Sequence, residues 1–192
     1  MRDEGTTIDQ ELMVSRDGRH WSRPIRRPFI ELGPKESWRY GVAKLFASFP
    51  IQRDGQLWIY YGGKTGLTDA HTGTGPNQAM SLALLRQDGF VSVDGGPNGG
   101  VLVTHPVKLV GRHLHLNADA EGGQIRVEIR DVQGAAISGY EADECVPITG
   151  DSLDATVGWE EHGSLDSLSS RPVRLALFIR NAALYSLWTD DG

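Results

Sequence analysis

The sequence predicts an all-β protein, and three features carry that expectation. Apolar residues gather in short runs, the clearest runs alternate apolar with polar positions, and Gly and Pro punctuate the intervals between them. Few windows hold a helical period for three turns, so helices are expected to be rare.

Taken in order, the first strand is expected at residues 11–15, closed by the turn dipeptide Asp17-Gly18. A second is expected at 42–49, and Asp54-Gly55 then opens a hairpin into 57–61, which Gly62-Gly63 should end. Strands at 80–85 and 90–93 flank Asp88-Gly89, and a strand at 100–104 follows the Gly-rich stretch from Asp94 to Gly100. The next pair, 114–117 and 124–130, is expected to be joined by a turn at Gly122-Gly123. In 124–130 Ile125, Val127 and Ile129 alternate with Arg126, Glu128 and Arg130, the signature of one buried and one wet face. Strands at 156–159, 173–179 and 183–188 complete the series, with Val173, Leu175, Leu177 and Ile179 repeating the alternation. The composition changes across Asp94–Gly100, which sets the expected division into domains 1–94 and 95–192. Trp21, Trp38, Tyr40, Trp58, Tyr60, Tyr61 and a basic cluster lie upstream, while the downstream half is acidic.

With 192 residues, 39% of them hydrophobic, the chain can bury a core as one domain or two small ones. A net charge of −6 argues against nucleic acid or an anionic membrane as partner, since both reward surplus Lys and Arg. The apolar runs fall far short of the roughly 20 residues of a spanning helix. Residues 1–5 carry no apolar leader, so no secretory signal is expected in this sequence, and the compartment is left open. Cys145 is the sole cysteine, which excludes an internal disulfide and a Cys-cluster zinc site.

Ser15-Arg16-Asp17-Gly18-Arg19-His20-Trp21 has the form S-x-D-G-x-x-W, a variant of the Asp-box hairpin. In such a hairpin Ser and Asp oxygens satisfy turn N–H groups while Trp packs beneath, a structural role. The order continues with Arg23-Pro24, Trp38, Asp54-Gly55-x-Leu57-x-Ile59-Tyr60-Tyr61-Gly62-Gly63 and Leu82-Ala83-x-Leu85-Arg86-x-Asp88-Gly89-Phe90. This order resembles the last part of a five-bladed β-propeller of the invertase, inulinase and arabinanase-like clan of glycoside hydrolases, families 32 and 43. The second half, with Gly111-x-x-Leu114-x-Leu116-Asn117 and Ile125-x-Val127-Glu128-Ile129-x-Asp131-x-x-Gly134, is similar to the β-sandwich appended to such propellers. The resemblance spans nearly the whole chain and implies partial propeller blades followed by an antiparallel β-sandwich. It also implies that the early blades, which carry the paired catalytic carboxylates, are missing, as in a fragment or a reduced relative. An incomplete propeller leaves open sheet edges that invite pairing with another chain, so a homo-oligomer is among the expected states.

Asp143-Glu144-Cys145-Val146-Pro147 is similar to the acid/base signature of invertase-like enzymes, but its position aligns with the sandwich. Coincidence is the favoured reading. As an acid/base, Glu144 would need a raised pKa and a partner carboxylate such as Asp143 or Asp151. His113 and His115, two apart on a strand, emerge on one face and are candidates for zinc or copper, with His105 or His71 as a third ligand; exposed strand histidines are the favoured alternative. Asp151-Ser152-x-Asp154 offers oxygens to a structural Ca²⁺ without a calcium-loop pattern, so solvated loops and no cofactor are expected. Trp38, Arg39, Tyr40 and Tyr60 supply aromatic faces and a guanidinium suited to stacking on sugars and binding their hydroxyls. The family commonly has Asp where Arg39 stands.

Three functions follow. The first is a carbohydrate-active protein resembling the C-terminal portion of a glycoside hydrolase, with a scaffold or glycan-binding role and a glycan or polysaccharide partner. The second is a stand-alone carbohydrate-binding module. The third is a small glycosidase whose site is completed by chain association and draws on Asp17, Asp54, Asp69, Asp143 and Glu144.

Overall fold

The computed structural model describes residues 7–35, 37–45, 49–65, 78–168 and 171–192, and the candidate residues Asp69 and His71 lie outside them. Among the described residues the protein is all-β, with one 3₁₀ turn, Asp166–Leu168, as its helical element. It divides into two compact units, Met1–Arg86 and Gln87–Gly192. The division precedes the Gly-rich stretch at 94–100, whose flanks pair within the second unit.

In the first unit β1 (Gln10–Glu11) pairs with β2 (Pro28–Ile30). A four-stranded antiparallel sheet follows, built on β5 (Gln56–Lys64). On one side β5 pairs with β3 (Val42–Leu45) and β4 (Ile51–Arg53), each along part of its length. On the other side β6 (Gln78–Arg86) pairs with all nine of its residues. The β4–β5 connection is the expected tight turn: Asp54 and Gly55 have φ of 51° and 73°, the positive pair that a two-residue hairpin demands. Gly62-Gly63 forms no turn. Both residues lie inside β5, and Gly63 is needed for a close approach, because a Cβ there would sit 2.5 Å from Cζ3 of Trp38. Ile30, Ala43 and Tyr61 form the small core beneath the sheet, with Phe29, Leu32, Trp38, Leu45 and Ala83 packed against it.

The second unit is one antiparallel sheet curled into a half-barrel. Its spine is β10 (His113–Arg130), which fuses the two strands expected at 114–117 and 124–130. The first half of β10 pairs with β13 (Ala182–Asp190) and its second half with β12 (Pro172–Arg180). β12 and β13 thus run as one long strand interrupted at Asn181, which takes a φ of 46°. The interruption faces the irregularity in β10 between Ala120 and Ile125. Gly122-Gly123, expected to make a turn, makes this bend instead: a Cβ on Gly123 would clash with the Arg180 carbonyl oxygen. Beyond β13 and β12, β7 (Val93–Gly95) and β8 (Gly100–Val103) extend the sheet, while β9 (Val107–Lys108) pairs with the start of β12. β11 (Ile148–Val157) flanks β10. The bend shifts the inward-facing positions by one: Leu114, Leu116, Ala118 and Ala120 precede it and Ile125, Val127 and Ile129 follow it. They meet Val173, Leu175, Leu177 and Ile179 in one continuous core, as the alternation requires.

Candidate functional site

Two places in the first unit concern the aromatic residues singled out by sequence. Adjacent strand residues point to opposite faces, so Tyr60 and Tyr61 are separated by the sheet itself. Tyr61 turns inward, where Trp38 tilts against it with ring centroids 5.6 Å apart. Arg39 donates from Nη1 to the Glu31 carbonyl at 3.2 Å, and its backbone carbonyl accepts from Gly33 N–H at 3.1 Å. Tyr40 N–H donates to the Ser37 carbonyl at 3.2 Å. Trp38 and Arg39 thus lie against β5 at Tyr61 and Gly63, Tyr40 is tied to Ser37 through its backbone, and all three are half-buried.

Tyr60 faces the other way and is 38% exposed. Cross-strand partners share its face: Leu82 lies opposite Tyr60, Ile51 and Leu84 flank Trp58, and Met80 lies opposite Gly62. The Arg53 guanidinium stands 5.0 Å above the Trp58 ring, in cation–π geometry. Met80 at 72% exposure and Leu84 at 54% leave this face open to solvent. The result is an aromatic and apolar surface, with Tyr60 central and a guanidinium at one side. Sequence reasoning found Tyr60 and missed Arg53, whose position over Trp58 follows from the Ile51–Trp58 register.

The turn at Ser15–Trp21 satisfies its own backbone. Ser15 Oγ accepts from Gly18 N–H at 2.9 Å, and Asp17 Oδ1 accepts from the N–H groups of Arg19 and His20, both at 2.8 Å. The His20 ring and these N–H donors hold the Asp17 carboxyl far below the usual carboxylate range. Trp21 does not pack beneath the turn as expected. It is 56% exposed, and its Nε1–H donates to the Gly18 carbonyl at 3.3 Å.

In the second unit, Glu144 sits on a loop fastened by Arg126, whose Nη1 donates to the carbonyls of Ala142, Asp143 and Cys145. Burial raises the Glu144 pKa first, and a hydrogen bond and charge repulsion from Glu141 raise it further. One carboxyl oxygen, Oε2, is buried without a hydrogen-bond partner. Glu141 moves the opposite way, because backbone N–H groups, its own and that of Gly139 at 2.7 Å, favour its ionised form. The partner carboxylate is thus Glu141. Asp143 is exposed and adds only a weak charge effect, and Asp151 lies on β11 opposite Asp119. The i, i+3 spacing of Glu141 and Glu144 in an irregular segment gave no signal in the sequence.

His113 and His115 do share one face of β10, with ring centroids 6.5 Å apart. His115 is 8% exposed, so it is not a surface strand histidine. Its Nδ1 lies 2.6 Å from Asp154 Oδ1 on β11 and its Nε2 3.1 Å from Asp190 Oδ1 on β13, and its ring stacks on Trp188 at 5.4 Å. Both ring nitrogens face carboxylates, which fixes the ring between β11 and β13. Asp151–Asp154 belongs to strand β11 rather than a loop, and Asp154 is committed to His115. His105 lies on the exposed segment after β8. Among the described residues no group of three or more His, Cys, Asp or Glu stands close enough to hold a metal ion. No described helix is long and apolar enough to cross a membrane.

No protein family, curated protein or solved structure matches the chain at a significant level.

Proposed function

We propose that this chain is a carbohydrate-associated module resembling the C-terminal portion of a glycoside hydrolase, with propeller-like strands followed by a sandwich-like domain, acting as scaffold and glycan contact without a full catalytic set. The observation that carries the reading is the open face around Tyr60. An exposed aromatic ring on an apolar strand surface can stack on the C–H side of a sugar, and the Arg53 guanidinium, whose Nε donates to Asp54 at 3.2 Å, keeps its terminal nitrogens for hydroxyl oxygens. Trp38 and Arg39 back that face from the other side of β5, against Tyr61 and Gly63.

A screen of fructans, arabinans, xylans and sialosides, read for binding and for product release, tests it. Binding without hydrolysis is expected, with Tyr60→Ala weakening affinity about tenfold, the equivalent of about 1.4 kcal/mol. Unchanged affinity in Tyr60→Ala, with the circular dichroism spectrum retained, overturns the assignment.

A second reading is favoured by the Glu141–Glu144 pair. Two carboxyl groups pushed in opposite directions are the arrangement of an acid beside an ionised partner, as a small glycosidase would need. Product release that Glu144→Gln abolishes would select this reading over the first.

A further inference from the structure

We propose that two copies of this chain pair edge to edge through β6, antiparallel about a two-fold axis at Leu82, and that the pairing joins their Tyr60 faces into one glycan-binding row. All nine residues of β6 bond to β5 on one side, and no described strand lies on the other. A strand edge of that length presents a run of backbone donors and acceptors along its outer side. Edges that resist pairing are short, bulged, or carry Pro or an inward charge. β6 has none of these between Gln78 and Leu85: its sequence is Gln-Ala-Met-Ser-Leu-Ala-Leu-Leu, and its register with β5 is unbroken.

The occupant is a second copy because the strand complements itself about its centre. With Leu82 opposite Leu82 of the second copy, Leu84 meets Met80, Ala83 meets Ser81 and Leu85 meets Ala79. Apolar side chains that are now exposed, Met80 and Leu84 foremost, fall beside one another on one face, with no like charges opposed. Tyr60 lies directly opposite Leu82 on β5. The pairing therefore aligns Tyr60, Leu82, Leu82 of the second copy and Tyr60 of the second copy in one row across a continuous sheet. Three inter-strand spacings separate the two tyrosine positions, about 14 Å. An extended saccharide lying along that row touches both rings, while a single sugar touches one. This second part rests on the glycan reading above, whereas the pairing itself does not.

The experiment is a register-specific disulfide. Cys145 is buried, so a cysteine placed on β6 is the accessible thiol. Leu82→Cys should give a disulfide-linked dimer with oxidised glutathione, since directly opposed antiparallel residues lie within bridging distance. Leu84→Cys should not, because its copies are four residues out of register, roughly 13 Å along the strand. Light scattering of the unmodified chain should give twice its 21.0 kDa mass. The locked Leu82→Cys dimer should bind fructan, arabinan or xylan polymer at least tenfold tighter than the same protein reduced and diluted to monomer, with monosaccharide binding equal in both.

A single-chain mass at every concentration overturns the pairing, and so does a disulfide that forms as readily at Leu84→Cys. Equal polymer affinity in locked and reduced forms overturns the shared row. No glycan binding by either form overturns the function proposed above, while mass and crosslink still judge the dimer.

Discussion

The two units solve the same problem with different means. The Gln87–Gly192 unit folds one long sheet over a continuous core running from Leu114 to Leu184. Among the described residues of the Met1–Arg86 unit, Ile30, Ala43 and Tyr61 form the buried centre, and the unit leans on turn chemistry and on Trp38 laid against Gly63. Apolar burial scales with area, so the described core of the first unit gives the smaller reserve against any single lesion. It also leaves the Ile51–Trp58–Tyr60–Met80–Leu84 face uncovered. The unit with the smaller described core is thus the one that leaves an apolar strand surface exposed.

The largest effect that sharpens this contrast is expected in the second unit. Leu177 is fully buried at the meeting of β10, β12 and β8, and Leu177→Ala should cost about 2–5 kcal/mol, read as a lower denaturant midpoint. Next comes Gly63→Ala. Its Cβ would collide with the Trp38 ring, displacing it from Tyr61 at a cost of about 1–3 kcal/mol. Hydrogen exchange should then quicken in β5 and β6 while β10 and β12 stay protected. Equal quickening in both units would break the comparison. A smaller loss, about 1 kcal/mol, is expected for Tyr140→Phe, which keeps the ring stacked on His162 and against Trp159 but removes the hydroxyl bonds to the Ser164 carbonyl and Ser167.

The smallest effects separate the units by sign with pH. Asp17 is held below its unfolded value of about 3.9, so its turn is stabilised above that pH and loses the contribution as pH falls. Glu144 is raised, so the 141–145 loop is at full stability below the unfolded glutamate value of about 4.3 and weakens as pH rises through the raised value. Amide exchange at His20 should therefore accelerate on acidification and at Cys145 on the way up. Glu144→Gln should flatten the second profile alone.

Much of this fold was legible in the sequence. The alternation at 125–129 and 173–179 identified core strands, and Asp54-Gly55 identified its hairpin, because period and positive φ are local properties. Gly122-Gly123 was misleading for a physical reason: a glycine needed for a turn and a glycine needed for backbone approach look the same until the partner strand is known. The partners of His115 stand 39 and 75 residues away in sequence, so no spacing announced them. Tyr60 was legible as an aromatic in a strand, but its separation from Trp38 required the register. The division ahead of Gln87 followed from pairing of residues 93–95 with β13, a long-range contact that composition does not encode.

Cys145 carries a last consequence. Its Sγ lies at the edge of β10, 3.2 Å from the Val127 nitrogen whose N–H donates to it, and burial pushes the thiol pKa up. The thiolate that reagents attack is thus scarce and shielded while the half-barrel is closed. The rate at which an added thiol reagent labels the protein becomes a clock for openings of that unit, built into the native sequence and silent about the other half of the chain.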